Sequence, residues 1–183
     1  MPEELVWDSF FDVAGVLERL RFGRPAGPVV EFGCGYGTFT IEAARRCSGI
    51  LNTFDIEPEM VALTERKAVA AGLANVRAEV RDFIAAGTGL PDATADYCMV
   101  FNILHAERPV TLLNEVRRVL EPGGLVGIMH WNHDPSTPRG PSMAIRPKPE
   151  DCAEWAVVAG LRSVSELIDL PPYHYGFVFE RAG

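Results

Sequence analysis

The chain has little of what marks several large functional classes. Its four cysteines, at positions 34, 47, 98 and 152, include no CxxC pair and no metal-ligand spacing, so neither a disulfide framework nor a zinc module is expected. Basic residues are outnumbered, 17 Lys and Arg against 25 Asp and Glu. The resulting formal net charge of -8 disfavours nucleic acid as the main partner, because neutralising phosphates takes a surplus of cations. No apolar run approaches the roughly 18 residues that span a bilayer, and the opening MPEELVWDSFF is acidic rather than built like a secretory signal. A cytoplasmic protein with no membrane association is the expectation. Repeats and low-complexity tracts are absent. Histidine is scarce, four in 183 residues, which makes the placement of each informative.

What is present suffices for one packed core: 48% of residues are hydrophobic and 23% charged, and 183 residues suit a single domain over 1–183. Residues 4–22 read as one amphipathic helix, since Val6, Phe10, Val13, Leu17 and Leu20 step by three or four and Gly23 marks a stop. Strand and helix patterns then alternate. PVVEF (28–32) is a buried strand, followed by a glycine turn and a helix over about 38–47. GILNTFD (49–55) is a second strand, leading into a helix with Pro58 in its first turn and Gly72 at its end. NVRAEVRD (75–82) alternates as a third strand and ADYCMVFN (95–102) is a continuous apolar fourth. A helix from Pro109 through Leu120 carries Leu112, Val116 and Val119 on one face, and GGLVGIMHW (123–131) is the fifth strand.

A loop over 132–149 then carries five prolines, a length that in a compact domain marks function more often than accident. EDCAEWAVVAG (150–160) is the last helix. LRSVSELIDL and HYGFVFE form a closing hairpin across PPY, too short a link for parallel strands. The alternation specifies an α/β fold, a doubly wound and mostly parallel sheet, whose ligands bind at the carboxyl ends of the strands.

Two patterns compete for VVEFGCGYGTF. The dinucleotide fingerprint needs G-x-G-x-x-G/A; Gly33 and Gly35 fit, but Thr38 holds the third position. The stretch instead reads acidic-x-G-x-G-x-G, which resembles motif I of class I S-adenosylmethionine (SAM)-dependent methyltransferases. Asp55, ending the second strand, is shared by both families. Asp82-Phe83, LPDATADYCMVFNILH and LLNEVRRVLEPGGLVGI resemble the later elements of the methyltransferase family in order and spacing, over about residues 27–131.

The resemblance implies a Rossmann-like seven-stranded sheet in the order 3-2-1-4-5-7-6, with strand 7 antiparallel and helices on both faces. It implies SAM as cofactor and S-adenosylhomocysteine as product. Gly33, Gly35 and Gly37 would let the backbone pass the methionyl and ribose portions. Glu31 would meet the cofactor's amino end, and Asp55 would accept both ribose hydroxyls. Ile56 would pack on the adenine face, Asp82 and the Phe83 amide would hold the adenine edge, and Asn102 would line the methionine end. Each has a plainer reading: Glu31 as a core-edge carboxylate, Asp55 and Asp82 as helix caps, Asn102 as a satisfied buried amide.

On the substrate side, His105 follows the fourth strand, His130 ends the fifth, His133 begins the long loop and His174 starts the last strand. The implied strand order would bring all four to one rim, within about 10–15 Å. His105 is the first and His130 the second candidate for a general base. A metal pair of His130 and His133 is the rival reading, and no metal is expected. Trp131, Tyr173 and Tyr175 would wall a pocket or fill the core. Arg139, Arg146 and Lys148 would clamp an anion or be solvated. The N-terminal segment 1–24, with Trp7, Phe10 and Phe11, would form a lid or pack on the sheet.

FNILH differs from the [D/N]PPY of enzymes that methylate amide or nucleobase nitrogens. The general look is of small bacterial small-molecule methyltransferases, related to quinone-biosynthesis C-methyltransferases. A methyltransferase for a small-molecule substrate, acting as monomer or homodimer, is the leading expectation. Its rivals are a non-catalytic SAM-binding sensor or partner-activating subunit, and an NAD-dependent oxidoreductase.

Overall fold

A computed structural model describes residues 4–183. In chain order the elements are α1 (Glu4–Asp8), α2 (Val13–Arg19), β1 (Val29–Phe32), α3 (Thr38–Arg46), β2 (Leu51–Asp55), α4 (Pro58–Ala70), β3 (Val76–Val80), α5 (Phe83–Ala86), β4 (Ala95–Phe101), α6 (Pro109–Val119), β5 (Leu120–Trp131), α7 (Pro149–Val158), β6 (Leu161–Ser163), β7 (Ile168–Leu170) and β8 (His174–Arg181). No described helix is long and apolar enough to cross a membrane.

β1 and β4 are buried along nearly their whole length, as strands covered on both faces are. They pair in parallel at the centre, Val29 opposite Tyr97, and the sheet runs β3-β2-β1-β4-β5-β8-β6. β8 is antiparallel to β5, Trp131 opposite His174. The Rossmann-like order and the antiparallel strand follow the expected plan. One core layer gathers Phe32, Val100, Leu112, Val116 and Ile128 under α6 and α7; the other gathers Leu17, Leu20, Phe39, Leu51 and Met99 under α2 and α3.

Two expectations are corrected. The single helix over 4–22 is two helices, because Asp12 caps α2 by accepting from the Gly15 amide at 3.1 Å, while the Ser9 hydroxyl closes α1 on the Val6 carbonyl at 2.7 Å. Phe10 turns inward between them, and Val6 is left 44% exposed. The strand expected over LRSVSELIDL is broken into β6 and β7, both antiparallel to β8, so eight strands replace seven. At the break the Val178 amide donates to the Ser165 hydroxyl at 2.8 Å, a side chain doing what a ladder carbonyl would do.

The front of the sheet is pinned to α2 by one buried bond, from the Tyr97 hydroxyl to the Leu20 carbonyl at 2.6 Å. Gly127 makes that bond possible, since a Cβ there would stand 2.2 Å from the same hydroxyl.

Candidate active site

The carboxyl end of β1 runs into the glycine turn, where Gly33, Gly35 and Gly37 hold φ of +89°, +48° and +74°, values that side chains rarely tolerate. A Cβ on Gly37 would also come within 2.9 Å of the Thr64 hydroxyl. At the end of β2, Asp55 accepts from the Gly35 amide at 2.9 Å and from the Glu57 amide at 3.0 Å. Asp55 is therefore not the N-cap of α4, which is Glu57; it braces the glycine turn against the next loop. Asp82 is a cap, accepting from the Ile84 and Ala85 amides at 3.1 and 2.9 Å. Phe83 is buried edge-to-face on Phe32 at 5.4 Å. Gly33, Asp55, Ile56, Asp82, Phe83 and Ile103 line a narrow cavity of about 130 Å3.

Glu31 lies one residue inside the turn, 4% exposed, and accepts from the Thr40 and Thr53 hydroxyls at 2.5 and 2.7 Å. Burial raises its carboxyl to about 7 against the pull of those two bonds. The Cys34 thiol in the turn is pushed up to about 12, also by burial, and is inert at neutral pH.

Directly after β4 stands Asn102, a non-glycine residue at φ +58°, whose amide donates to the Met129 carbonyl at 2.7 Å. Its side-chain oxygen is buried without a donor. Asn102 and His105 line a second cavity of about 640 Å3, together with Trp7, Trp131, Arg139, Gly140 and Pro141. Burial holds His105 below its ordinary value, with the Asn102 carbonyl opposing, so the imidazole is neutral at pH 7. Its Nδ1 is buried without a hydrogen-bond partner among the described residues.

The other histidines do not reach this cavity. His130 is wholly buried, its ring centroid 5.6 Å from that of His105, and burial drives it down to about 3. His174 lies against Trp131 at 4.2 Å and Phe11 at 4.7 Å and is likewise lowered to about 3. His133 directs Nδ1 to the Arg146 carbonyl at 2.8 Å. Strand ends set the height of these side chains, as expected, but the pleat sends His130 and His174 inward. His130 therefore has no access to a molecule in this cavity. Among the described residues no three His, Cys, Asp or Glu side chains are grouped to hold a metal.

The proline-rich loop corrects a further expectation. Arg146 is neither solvated nor free to clamp an anion: it is 7% exposed, and its guanidinium donates to the carbonyls of Asn132, Asp134, Arg139 and Pro141, at 2.8–3.2 Å, and to the Thr137 hydroxyl. A loop with so many prolines lacks amide donors for its own carbonyls, and one buried guanidinium supplies five. The sequence shows two arginines among the loop's prolines, Arg139 and Arg146, but nothing there shows which of them is buried. Gly140, at φ +115°, lets the loop lie on Trp131, where a Cβ would meet Cγ at 2.9 Å. Tyr175 belongs to the core, its hydroxyl donating to the Pro147 carbonyl at 3.1 Å. Tyr173 stacks behind Trp131, with centroids 6.4 Å apart. Lys148 precedes α7, and its amide donates to Asp151 at 2.8 Å.

α1 crosses the mouth of the glycine turn. Asp8 accepts from the Thr38 hydroxyl at 2.7 Å, and Glu4 pairs with Lys67, whose ammonium also donates to the Tyr36 carbonyl at 2.6 Å. Trp7 reaches the larger cavity 6.2 Å from Trp131, and Phe11 packs on Phe39 at 5.3 Å.

A glycine turn at β1, an acidic residue at the end of β2 and paired cavities across β4 can hold a nucleoside beside a small reactant. Known proteins agree with that layout. The family described as "Methyltransferase domain" matches residues 29–124. No curated protein matches the chain in sequence. A SAM-dependent methyltransferase from Aquifex aeolicus superposes with a TM-score of 0.83 at 23% identity, over 98% of this chain and 93% of that one. The [4+2]-cyclase SpnF gives 0.78 at 17%, over 93% and 79%. Geranyl diphosphate methyltransferase, solved with SAM, gives 0.78 at 15%, over 93% and 84%. The chain belongs to the methyltransferase-domain family and has the class I SAM-dependent methyltransferase fold.

Proposed function

We propose that this protein transfers a methyl group from SAM to a small-molecule acceptor held in the larger cavity. One observation carries the reading: the turn after β4 puts Ile103 in the narrow cavity and its neighbour Asn102 in the wide one, so a molecule filling the first ends at the second. The residues suit this cofactor. The glycines leave backbone where a side chain would obstruct, Asp55 stands fixed at the cavity wall, and the unpaired Asn102 oxygen calls for a donor. Bound SAM supplies an electrophilic methyl carbon on a sulfonium that leaves as a neutral thioether.

The chain itself binds, orients and moves one proton. Asp55 accepts the ribose hydroxyls, Ile56 and Phe83 sandwich the adenine region with Asp82 at its edge, and Glu31 and Asn102 face the amino-acid end. His105 Nε2 takes the proton that a hydroxyl or amine acceptor must lose, a task for a base that is neutral at pH 7. Holding the nucleophile near attack distance accounts for about 7–11 kcal/mol of the barrier. The whole chain, 1–183, works as one domain, with the N-terminal strap covering the cofactor and the 132–149 loop walling the acceptor.

Calorimetric titration with S-adenosylhomocysteine and with NADH tests the cofactor; tight NADH binding without S-adenosylhomocysteine binding would sink the reading. His105→Ala is expected to cut turnover about 100-fold with cofactor affinity nearly unchanged, measured as S-adenosylhomocysteine release over an acceptor panel. Equal turnover removes His105 from catalysis, and no product from any acceptor favours a SAM-binding sensor.

Glu31 gives a pH test. Its carboxyl is raised to about 7 in the folded chain from 4.5, so its contribution to stability is full below pH 4.5 and is lost as pH rises towards 7. An arriving ammonium favours the ionised form, so cofactor binding at pH 6.5 is expected to release roughly half a proton or more. Calorimetry in buffers of different ionisation enthalpy measures this; identical heats would separate Glu31 from the cofactor's amino end.

A further inference from the structure

We infer that the acceptor is a planar aromatic molecule bearing an anionic substituent, which Arg139 reads at the cavity mouth, an inference that rests on the methyl-transfer reading for the use of the cavity but not for its ligand chemistry. The wide cavity is walled by the half-buried Trp7 indole and the Pro141 ring, with the flat backbone of Gly140 lying over Trp131, which is itself 1% exposed and closes the cavity from behind. Such walls take up a flat ring by stacking and edge contacts at little conformational cost. About 640 Å3 holds one or two rings beside the end of a cofactor.

The cavity has one formally charged side chain among the described residues that line it, Arg139. Among the described residues its guanidinium makes no ion pair and no hydrogen bond; the loop uses only its carbonyl, through Arg146. Three acidic groups on the surrounding elements are engaged elsewhere. Asp8 accepts from Thr38, Glu4 pairs with Lys67, and Asp134 accepts from the Ser136 amide at 2.8 Å. In a chain of net charge -8, a cation left unpaired at an aromatic-walled opening is complementary to an anion brought in by the ligand.

The wall is also preformed. Arg146 ties together the loop backbone from Asn132 to Pro141, and Gly140 lets that backbone rest on Trp131, so Arg139 projects from a fixed support rather than a mobile loop. Preorganisation lowers the ordering cost of binding and makes a single exposed arginine selective. The anion anchors one end of the ring, and a hydroxyl or amine elsewhere on it is then free to meet His105.

The test is calorimetric titration of the full chain, with and without S-adenosylhomocysteine, using 2-naphthoate, salicylate and phenyl phosphate, with 2-naphthamide and salicylamide as neutral partners and cyclohexanecarboxylate as the non-aromatic anion. The expected result is binding of the aromatic anions at least about tenfold tighter than the amides and than cyclohexanecarboxylate. Arg139→Gln is expected to erase the preference over the amides, and this exposed side chain can be changed without touching the fold. Whether carboxylate or phosphate binds tighter identifies the anion. Equal affinity for acid and amide, a preference that survives Arg139→Gln, or no binding of any aromatic anion each overturns the inference. S-Adenosylhomocysteine binding without aromatic-anion binding would leave the methyl-transfer reading intact, whereas Arg139-dependent anion binding without S-adenosylhomocysteine binding would do the reverse.

Discussion

Arg146→Met is expected to destabilise the protein by about 3 kcal/mol and to abolish ligand binding in the wide cavity, while S-adenosylhomocysteine affinity falls less than about threefold. A buried acceptor left without a donor costs about 1–3 kcal/mol, and this guanidinium serves four carbonyls and a hydroxyl. The full sum is not reached because the loop is at the surface and water can replace some partners after it opens. What it cannot recover is its shape: without the central donor, the segment carrying Arg139 and Gly140 no longer rests on Trp131. Arg146→Lys is expected to recover little, since a point ammonium with three donors cannot span carbonyls on both sides of the loop. Urea denaturation and calorimetry measure both quantities. A Met variant as stable as the parent, with the wide cavity still functional, would show that the loop is held by something other than Arg146.

Asp55→Ala is expected to raise the Kd for S-adenosylhomocysteine at least about 100-fold, with a stability loss of about 1–2 kcal/mol. The carboxylate does two jobs that add. It fixes the Gly35 and Glu57 amides, so its removal frees two backbone donors and loosens the glycine turn. It is also the acceptor for the ribose hydroxyls in the proposed complex, and two charge-assisted bonds at about 1.5–3 kcal/mol each account for the rest. Asp55→Asn keeps the shape and one acceptor, so it is expected to fall between parent and Ala variant. Calorimetric titration alongside thermal melts separates the two jobs. A melting loss without an affinity loss would make Asp55 a brace for the turn and nothing more.

The parallel core was the most legible part of the sequence, and for a physical reason. VVEF and ADYCMVF are covered on both faces, so they carry no alternation and can be little else than central strands. The glycine turn was legible because its backbone angles exclude other residues. What the sequence concealed depends on which way a side chain turns. Val6 and Phe10 kept helical spacing across a break that the Asp12 carboxylate makes locally. His130 and His174 sit at the expected height but point into the protein. Arg146 has the composition of a solvated loop arginine, and only the crowd of carbonyls around it distinguishes it from Arg139 seven residues earlier. Asp82 is the clearest residue for which the plain cap reading and a place on the cavity rim hold together.

The broken border strand has a consequence for how the molecule meets its own copies. An open sheet ends in unpaired amides and carbonyls that can template the addition of a foreign strand. Here one border is divided into two three-residue pieces, β6 and β7, with a side-chain hydroxyl inserted between them, so no long ladder is on offer. The opposite border, β3, is five residues long and turns Arg77 and Glu79 outward. Both ends of the sheet are thereby poor seeds for fibrils, and the sheet can keep its apolar centre without being extended by neighbours.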